Sequence, residues 1–303
     1  MLCISHSSCA ELAYPILLLG GGSYKDLADM ILIRSKRILF SAMGAAGGAV
    51  GALGAQLVHA ESGTILTNLF QTGAWSGISA AFIACALAWA GELYHRKEGF
   101  PAAVMWPALR AGAIAGVIAG LAGQAMFTFP IFGDSLARVA FQVACWGLMG
   151  LLIGLRFSRF IPNMSRSRAS VGGGVGGILG GGLFLAVSIF VPELVGRLLG
   201  ISILGAALGF SLVLAESLFR KAALEVVWAP NEKTVVTLGK DCVYLGGGDD
   251  HVFIAGLPQH AISIVVENGR ILCRQQGEPL GVVLKNGSQI KVGRMLAVIR
   301  AST

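Results

Sequence analysis

The chain is 303 residues long, 55% hydrophobic and only 13% charged, with 43 glycines and a formal charge of +7. A soluble core of this size needs more surface charge, which argues against a water-soluble globular protein. Nucleic-acid binding is disfavoured too, because the cations collect at the ends of apolar runs and no basic patch is interleaved with aromatics.

Residues 1–37 read as an N-terminal cytoplasmic segment. The apolar run at 16–19 is short, has no cationic region before it and shows no small-residue cleavage pattern, so it is a poor signal peptide. Residues 24–30 suit an amphipathic turn on a membrane surface, and Met30 is an alternative start to Met1. Neither reading is preferred by the residues themselves.

From 38 to 221 a glycine-dense apolar hairpin recurs three times, at roughly 60–65 residues per unit. The first runs carry Gly44, Gly48, Gly51 and Gly54, then Gly112, Gly116, Gly120 and Gly123, then Gly173, Gly177 and Gly181. The second runs close on His95, Arg96 and Lys97, on Arg156 and Arg159, and on Arg220 and Lys221. Six spans follow, near 39–59, 72–92, 108–130, 137–156, 171–191 and 197–217. Each is close to the ~20 residues that carry a helix across ~30 Å of hydrocarbon, where only helices satisfy the backbone. Lysine and arginine cluster before span one, between two and three, between four and five, and after six, so both termini are expected in the cytoplasm. The expected location is a bacterial inner membrane.

Glycine at every fourth position leaves a stripe without side chains, which lets two helix backbones approach closely in lipid. Gly44 and Gly48, Gly112, Gly116 and Gly120, and Gly173, Gly177 and Gly181 are the expected packing residues. The stripe suits a static bundle; it also suits a sliding or pore-lining surface. Three hairpins in the same orientation suggest a pseudo-threefold bundle with the glycine helices at its centre. Polar residues in the spans are few: Gln56, Gln124 and Gln142, with Ser79, Ser188 and Ser211 as minor candidates, and Glu92 and Glu216 near the cytoplasmic end. The two carboxylates are expected to pair with nearby cations. Neither the six cysteines nor the five histidines show metal-ligand spacing, and no cofactor is expected.

After Lys221 short runs of β-branched residues are broken by turn signals, including the Asn-Gly pairs at 268–269 and 286–287. Nine strands are expected, at 224–229, 233–238, 241–245, 251–255, 260–267, 270–274, 279–284, 288–292 and 295–300, making residues 222–303 a small antiparallel β-sandwich. The fold class is therefore an all-α membrane unit of six transmembrane helices in three tandem hairpins, followed by a small all-β unit.

Tyr244-Leu245-Gly246, Val252-Phe253-Ile254, His260-Ala261-Ile262-Ser263-Ile264 and the closing segment from Leu284 to Gly293 occur in an order that resembles a forkhead-associated (FHA) domain. The resemblance covers about 233–300. It implies a phosphothreonine-peptide module in which Gly246, His260, Gly287 and Gly293 are structural. The family holds phosphate with an arginine after the first glycine and a serine three residues before the histidine. Here those places hold Gly247 and Leu257. Phosphate recognition calls for the fork of an arginine, and Asp249 and Asp250 make the loop anionic. The expected binding surface, Gly246, Gly247, Asp249, Asp250, Leu257 and Gln259, is thus phosphate-independent.

Three function classes follow: a membrane anchor presenting this module to a cytoplasmic protein in a signalling or secretion assembly, a transporter or channel with a regulatory β unit, and a membrane enzyme. No catalytic set or nucleotide loop stands out, which disfavours the third. Membrane lipid and a cytoplasmic protein are the expected partners, and a homo-oligomer is left open.

Overall fold

The computed structural model describes residues 36–58, 64–95, 102–128, 135–220, 222–229, 232–276, 281–292 and 295–301. The choice between Met1 and Met30 lies outside the described residues, as does Gly293. The chain divides into a helical unit, 36–219, and a β unit whose described part begins at Arg220.

The helical unit comprises α1 (Lys36–Ala55), α2 (Ile65–Tyr94), α3 (Ala102–Thr128), α4 (Ser135–Phe157), α5 (Arg166–Ser188) and α6 (Glu193–Leu218). All six are long and apolar enough to cross a membrane. α2 begins at Ile65, about two turns before the span expected from 72, and its first turn is capped by the Thr64 hydroxyl, which accepts the Thr67 N–H. Consecutive helices pack on one another and α6 packs back on α1, so the six form a closed ring.

The ring corrects the expected centre. The glycine-bearing helices α1, α3 and α5 do not gather there; each is wedged between two neighbours, while α2 reaches across to α4 and α6. Glycine stripes on two faces of α1 and α5 explain the arrangement. Gly44 and Gly48 meet α6 backbone at Gly205 and Ile201, whereas Gly47 and Gly51 meet α2 at Phe82 and Ser79. Gly173 and Gly177 meet α4 at Gly150 and Trp146, whereas Gly172, Gly176 and Gly180 meet α6. The centre is filled instead by the bulkier helices, with Ile83 and Leu87 of α2, Met149 and Ile153 of α4, and Ile201, Leu204, Leu208 and Leu212 of α6 all buried. Leu53, Ile114, Val171, Leu179 and Leu183 point outward and are exposed.

Five of the six seams are closed by glycine against backbone. On the α2–α3 seam a Cβ at Gly112 or Gly116 would overlap the carbonyl of Ala80 or Ser76. The α3–α4 seam differs. There, among the described residues, the one glycine with a neighbour across the seam is Gly123, and its nearest atom would be the Cys145 sulfur at an ordinary 3.8 Å. At the cation-rich end of the ring, Lys36 of α1 and Glu216 of α6 form a buried ion pair at 2.6 Å, with the ammonium 4.9 Å from the Tyr94 ring centroid.

The β unit contains β1 (Ala222–Ala229), β2 (Glu232–Leu238), β3 (Val243–Gly246), β4 (Val252–Phe253), β5 (Ile262–Glu267), β6 (Arg270–Gln275), β7 (Val282–Leu284), β8 (Gln289–Val292) and β9 (Met295–Ala301). They form two sheets, ordered β2-β1-β9-β8 and β4-β3-β5-β6-β7. Leu224, Val226, Val236, Ala297 and Ile299 of the first pack with Val243, Leu245, Ile262 and Ile264 of the second in one core. One pairing departs from the expected antiparallel pattern: β4 runs parallel to β3, with Leu245 opposite Val252. The 247–251 connection loops back through Gly248, whose φ of +65 favours glycine, and delivers β4 to the sheet edge in the same direction as β3.

Candidate functional site

Two places gather polar groups, one in each unit. In the helical unit a cavity of about 250 Å³ lies against the α3–α4 seam, toward the end of the ring poor in cations. α2 supplies Thr72, Trp75 and Ser76; α3 supplies Gly120, Gly123, Gln124 and Phe127; α4 supplies Gln142, Cys145, Trp146 and Met149; α5 adds Phe184. A second cavity of about 240 Å³ shares Thr72, Trp75 and Phe184 and is also lined by Gln56, Gln71 and Arg197.

The cavity exists because small residues are used up elsewhere. Gly112, Gly116 and Gly120 of α3 face α2, leaving α3 with little to offer α4 except Gly123. The Thr72 hydroxyl donates to the Gln124 carbonyl oxygen at 2.9 Å, across the α2–α3 seam. Trp75 and Trp146 each bury an indole Nε1–H for which the described residues supply no acceptor. An unmet buried donor costs about 1–3 kcal/mol, so two at one cavity are unusual. The Trp146 ring is fixed by Phe184, at 5.5 Å between centroids, and by the bare Gly181 beneath it.

Of the polar residues singled out in the spans, Gln124 and Gln142 converge here and Gln56 lies in the adjoining cavity. Ser79 and Ser211 are buried at helix contacts, and the Ser79 hydroxyl donates back to its own helix at Trp75. Ser188 also bonds within its helix and is exposed. Thr72, Trp75 and Trp146 went unmarked in the sequence. Tryptophan in an apolar run carries no local sign of an unpaired N–H; the absent glycine partner for α4 was the one available signal.

In the β unit the 246–251 and 254–261 loops meet. The Gly247 N–H donates to the Pro258 carbonyl at 3.1 Å, so it is not open to a ligand. Asp250 corrects the sequence reading: it is 1% exposed, not part of an anionic surface. Its Oδ2 accepts the His260 N–H at 2.7 Å and its Oδ1 lies 2.6 Å from His260 Nδ1. A side chain at Gly246 would run into that carboxylate, which is why the strand ends on glycine there. His260 itself has a left-handed φ of +57 and packs on Tyr244, 4.3 Å between ring centroids. The Tyr244 phenol is pushed above its ordinary value, first by the neighbouring Cys242 sulfur and then by burial.

Around this clasp Asp249, Gln259 and the His260 ring are exposed, while Leu257 is half-buried against the core. Gly287, at φ +83, turns the β7–β8 connection and donates its N–H to Ile299. Among the described residues no group of histidine, cysteine and carboxylate side chains could hold a metal ion. The chain matches no protein-family model, no curated protein and no solved structure.

Proposed function

We propose that this protein is a multi-pass membrane anchor whose β unit is an FHA-like module that docks a cytoplasmic protein without reading phosphate. Six helices of spanning length, with large apolar side chains on the outside of the ring and glycine at its seams, support membrane placement. The distribution of Lys and Arg supports an inner-membrane orientation with both termini cytoplasmic.

The observation that carries the docking reading is the clasp between the two loops. Asp250 and His260 hold the loops as a fixed platform, and Asp249, Gln259 and the His260 edge are presented from it. Residues 246–261 contain no lysine or arginine, and the Gly247 N–H is already engaged. A phosphate there would lose its hydration with no cation to replace it. A neutral or cationic protein surface meets no such penalty.

A photo-crosslinking residue at Gln259 of the full-length protein in its membrane tests this. The expected outcome is one discrete cytoplasmic adduct, unchanged by phosphatase treatment and weakened by Asp249→Lys. Loss of the adduct on phosphatase treatment, or no adduct at all, would refute it. The transporter reading draws support from the convergence of Gln124 and Gln142 at one cavity.

A further inference from the structure

The cavity at the α3–α4 seam plays no part in docking by the β unit, yet its chemistry is selective. We propose that it binds a lipid-soluble molecule carrying carbonyl oxygens on an apolar body, the chemistry shared by a quinone head group and the ester region of a glycerolipid. Only binding is inferred; no bond is made or broken.

The wall excludes ions. None of the residues lining this cavity carries a charge, and Arg197, on the wall of its neighbour, has an interaction of its own, so a charged solute would be dehydrated here with little compensation. Gln142 brings both a carbonyl acceptor and amide donors to the wall, and the other polar groups there are biased toward donation. An indole offers an N–H and no acceptor, and both Trp75 and Trp146 lack an acceptor among the described residues. The Gln124 carbonyl oxygen already accepts from Thr72, which leaves its amide N–H groups as the main remaining capacity. A surplus of donors calls for a ligand rich in acceptors, and a carbonyl supplies acceptors without adding donors. The faces of Phe127, Met149 and Phe184 suit an apolar ring or chain.

Size and access agree with that class. At about 250 Å³, beside a neighbour of about 240 Å³ that shares Thr72, Trp75 and Phe184, the space suits a head group followed by a short stretch of chain. The α3–α4 seam is the one not closed by backbone contact at glycine, and Phe127 on its rim is 53% exposed. A molecule dissolved in the bilayer therefore needs to part only these two helices. This step rests on the membrane placement proposed above, which recovery of the protein in lipid discs checks separately.

The test uses the full-length protein in nanodiscs, with tritiated ubiquinone-1 and tritiated monoolein as probes and empty discs as the blank. One of the two is expected to be retained saturably, at about one per chain. Trp75→Phe and Trp146→Phe keep the ring but remove the N–H, and each should weaken retention about fivefold. Gly123→Leu places a side chain in the cavity and should weaken it at least tenfold, whereas Gly182→Leu, with nothing near its Cβ, should leave it unchanged. Retention of ubiquinone-1 alone identifies a quinone; retention of monoolein alone identifies a lipid ester. The proposal is overturned if neither probe exceeds the blank, or if the tryptophan variants bind as the parent does. Should Gly123→Leu not fold, the two tryptophan variants decide the matter.

Discussion

Where α1 meets α6, Gly44 and Gly205 bring two backbones together with no side chain between them; where the two sheets meet, Leu224, Leu245 and Ile264 fill the gap with branched side chains. Both units are densely packed, but they reach density from opposite directions. In lipid, where we propose the helical unit sits, there is little hydrophobic drive between helices, so contact has to come from surfaces smooth enough for backbones to touch. In water the burial of large side chains drives the sheets together. Adding atoms should therefore damage the first unit, and removing them should damage the second.

The largest effect is expected from Gly173→Leu, whose side chain would strike the Gly150 carbonyl on α4. Overpacking against backbone cannot be relieved by a rotamer change and should cost on the order of 3 kcal/mol or more. Size-exclusion in detergent should show little monodisperse protein; recovery at the parent's yield and melting temperature would contradict the smooth-seam account.

Leu245→Ala comes next. Leu245 is fully buried in the sandwich, and its truncation should cost about 2–5 kcal/mol. Trp228 is the one tryptophan of the β unit, so the emission change it contributes during urea unfolding reports the loss. Unfolding of the helical unit should be unaffected if the two devices are separate.

A smaller effect is expected at Glu225, which lies 2.7 Å from the Lys233 ammonium and 3.0 Å from the Arg300 guanidinium. The hydrogen bond from Lys233, with help from Arg300, holds its carboxyl below the ordinary 4.5 despite some opposition from burial. Because the folded value is the lower one, this contribution is complete above 4.5 and is lost as pH falls through the folded value. Both cations are substantially exposed, so solvent limits it to roughly 0.5–1 kcal/mol. Acid titration of β-unit unfolding should show a total loss of stability in that range, which Glu225→Gln removes.

The smallest and most discriminating case is Gly123→Ala. Its Cβ would make ordinary contact with Cys145, and alanine favours a helix by up to about 1 kcal/mol over glycine, so the variant should be neutral or slightly stabilised. Gly116→Ala, on the α2-facing stripe of the same helix, should be destabilised. Equal damage from both would mean that the α3–α4 seam is as tight as the rest.

Much of this architecture was legible in the chain. Six apolar runs of spanning length and nine short runs bounded by Asn-Gly and glycine turns correspond to the six helices and nine strands of the described residues. Those signals are local: hydrophobic period and turn chemistry act within a few residues. The site was less legible. Gln124 and Gln142 could be picked out as rare polar residues, but Trp75 and Trp146 could not, because an indole suits an apolar helix whether or not its N–H finds a partner. Asp250 read as surface charge beside Asp249, since neighbouring identical residues give no sign of which one turns inward.

The sequence by itself determined the kinds of element, their number and order, and the stripes along which helices could touch. Which stripe met which helix was decided only in three dimensions. That α3 spends its glycines on α2 and leaves α4 standing off, that α2, α4 and α6 fill the centre, and that His260 closes on Asp250 all depend on two surfaces matching at once. A periodic pattern specifies one surface of such a pair and is silent about the other.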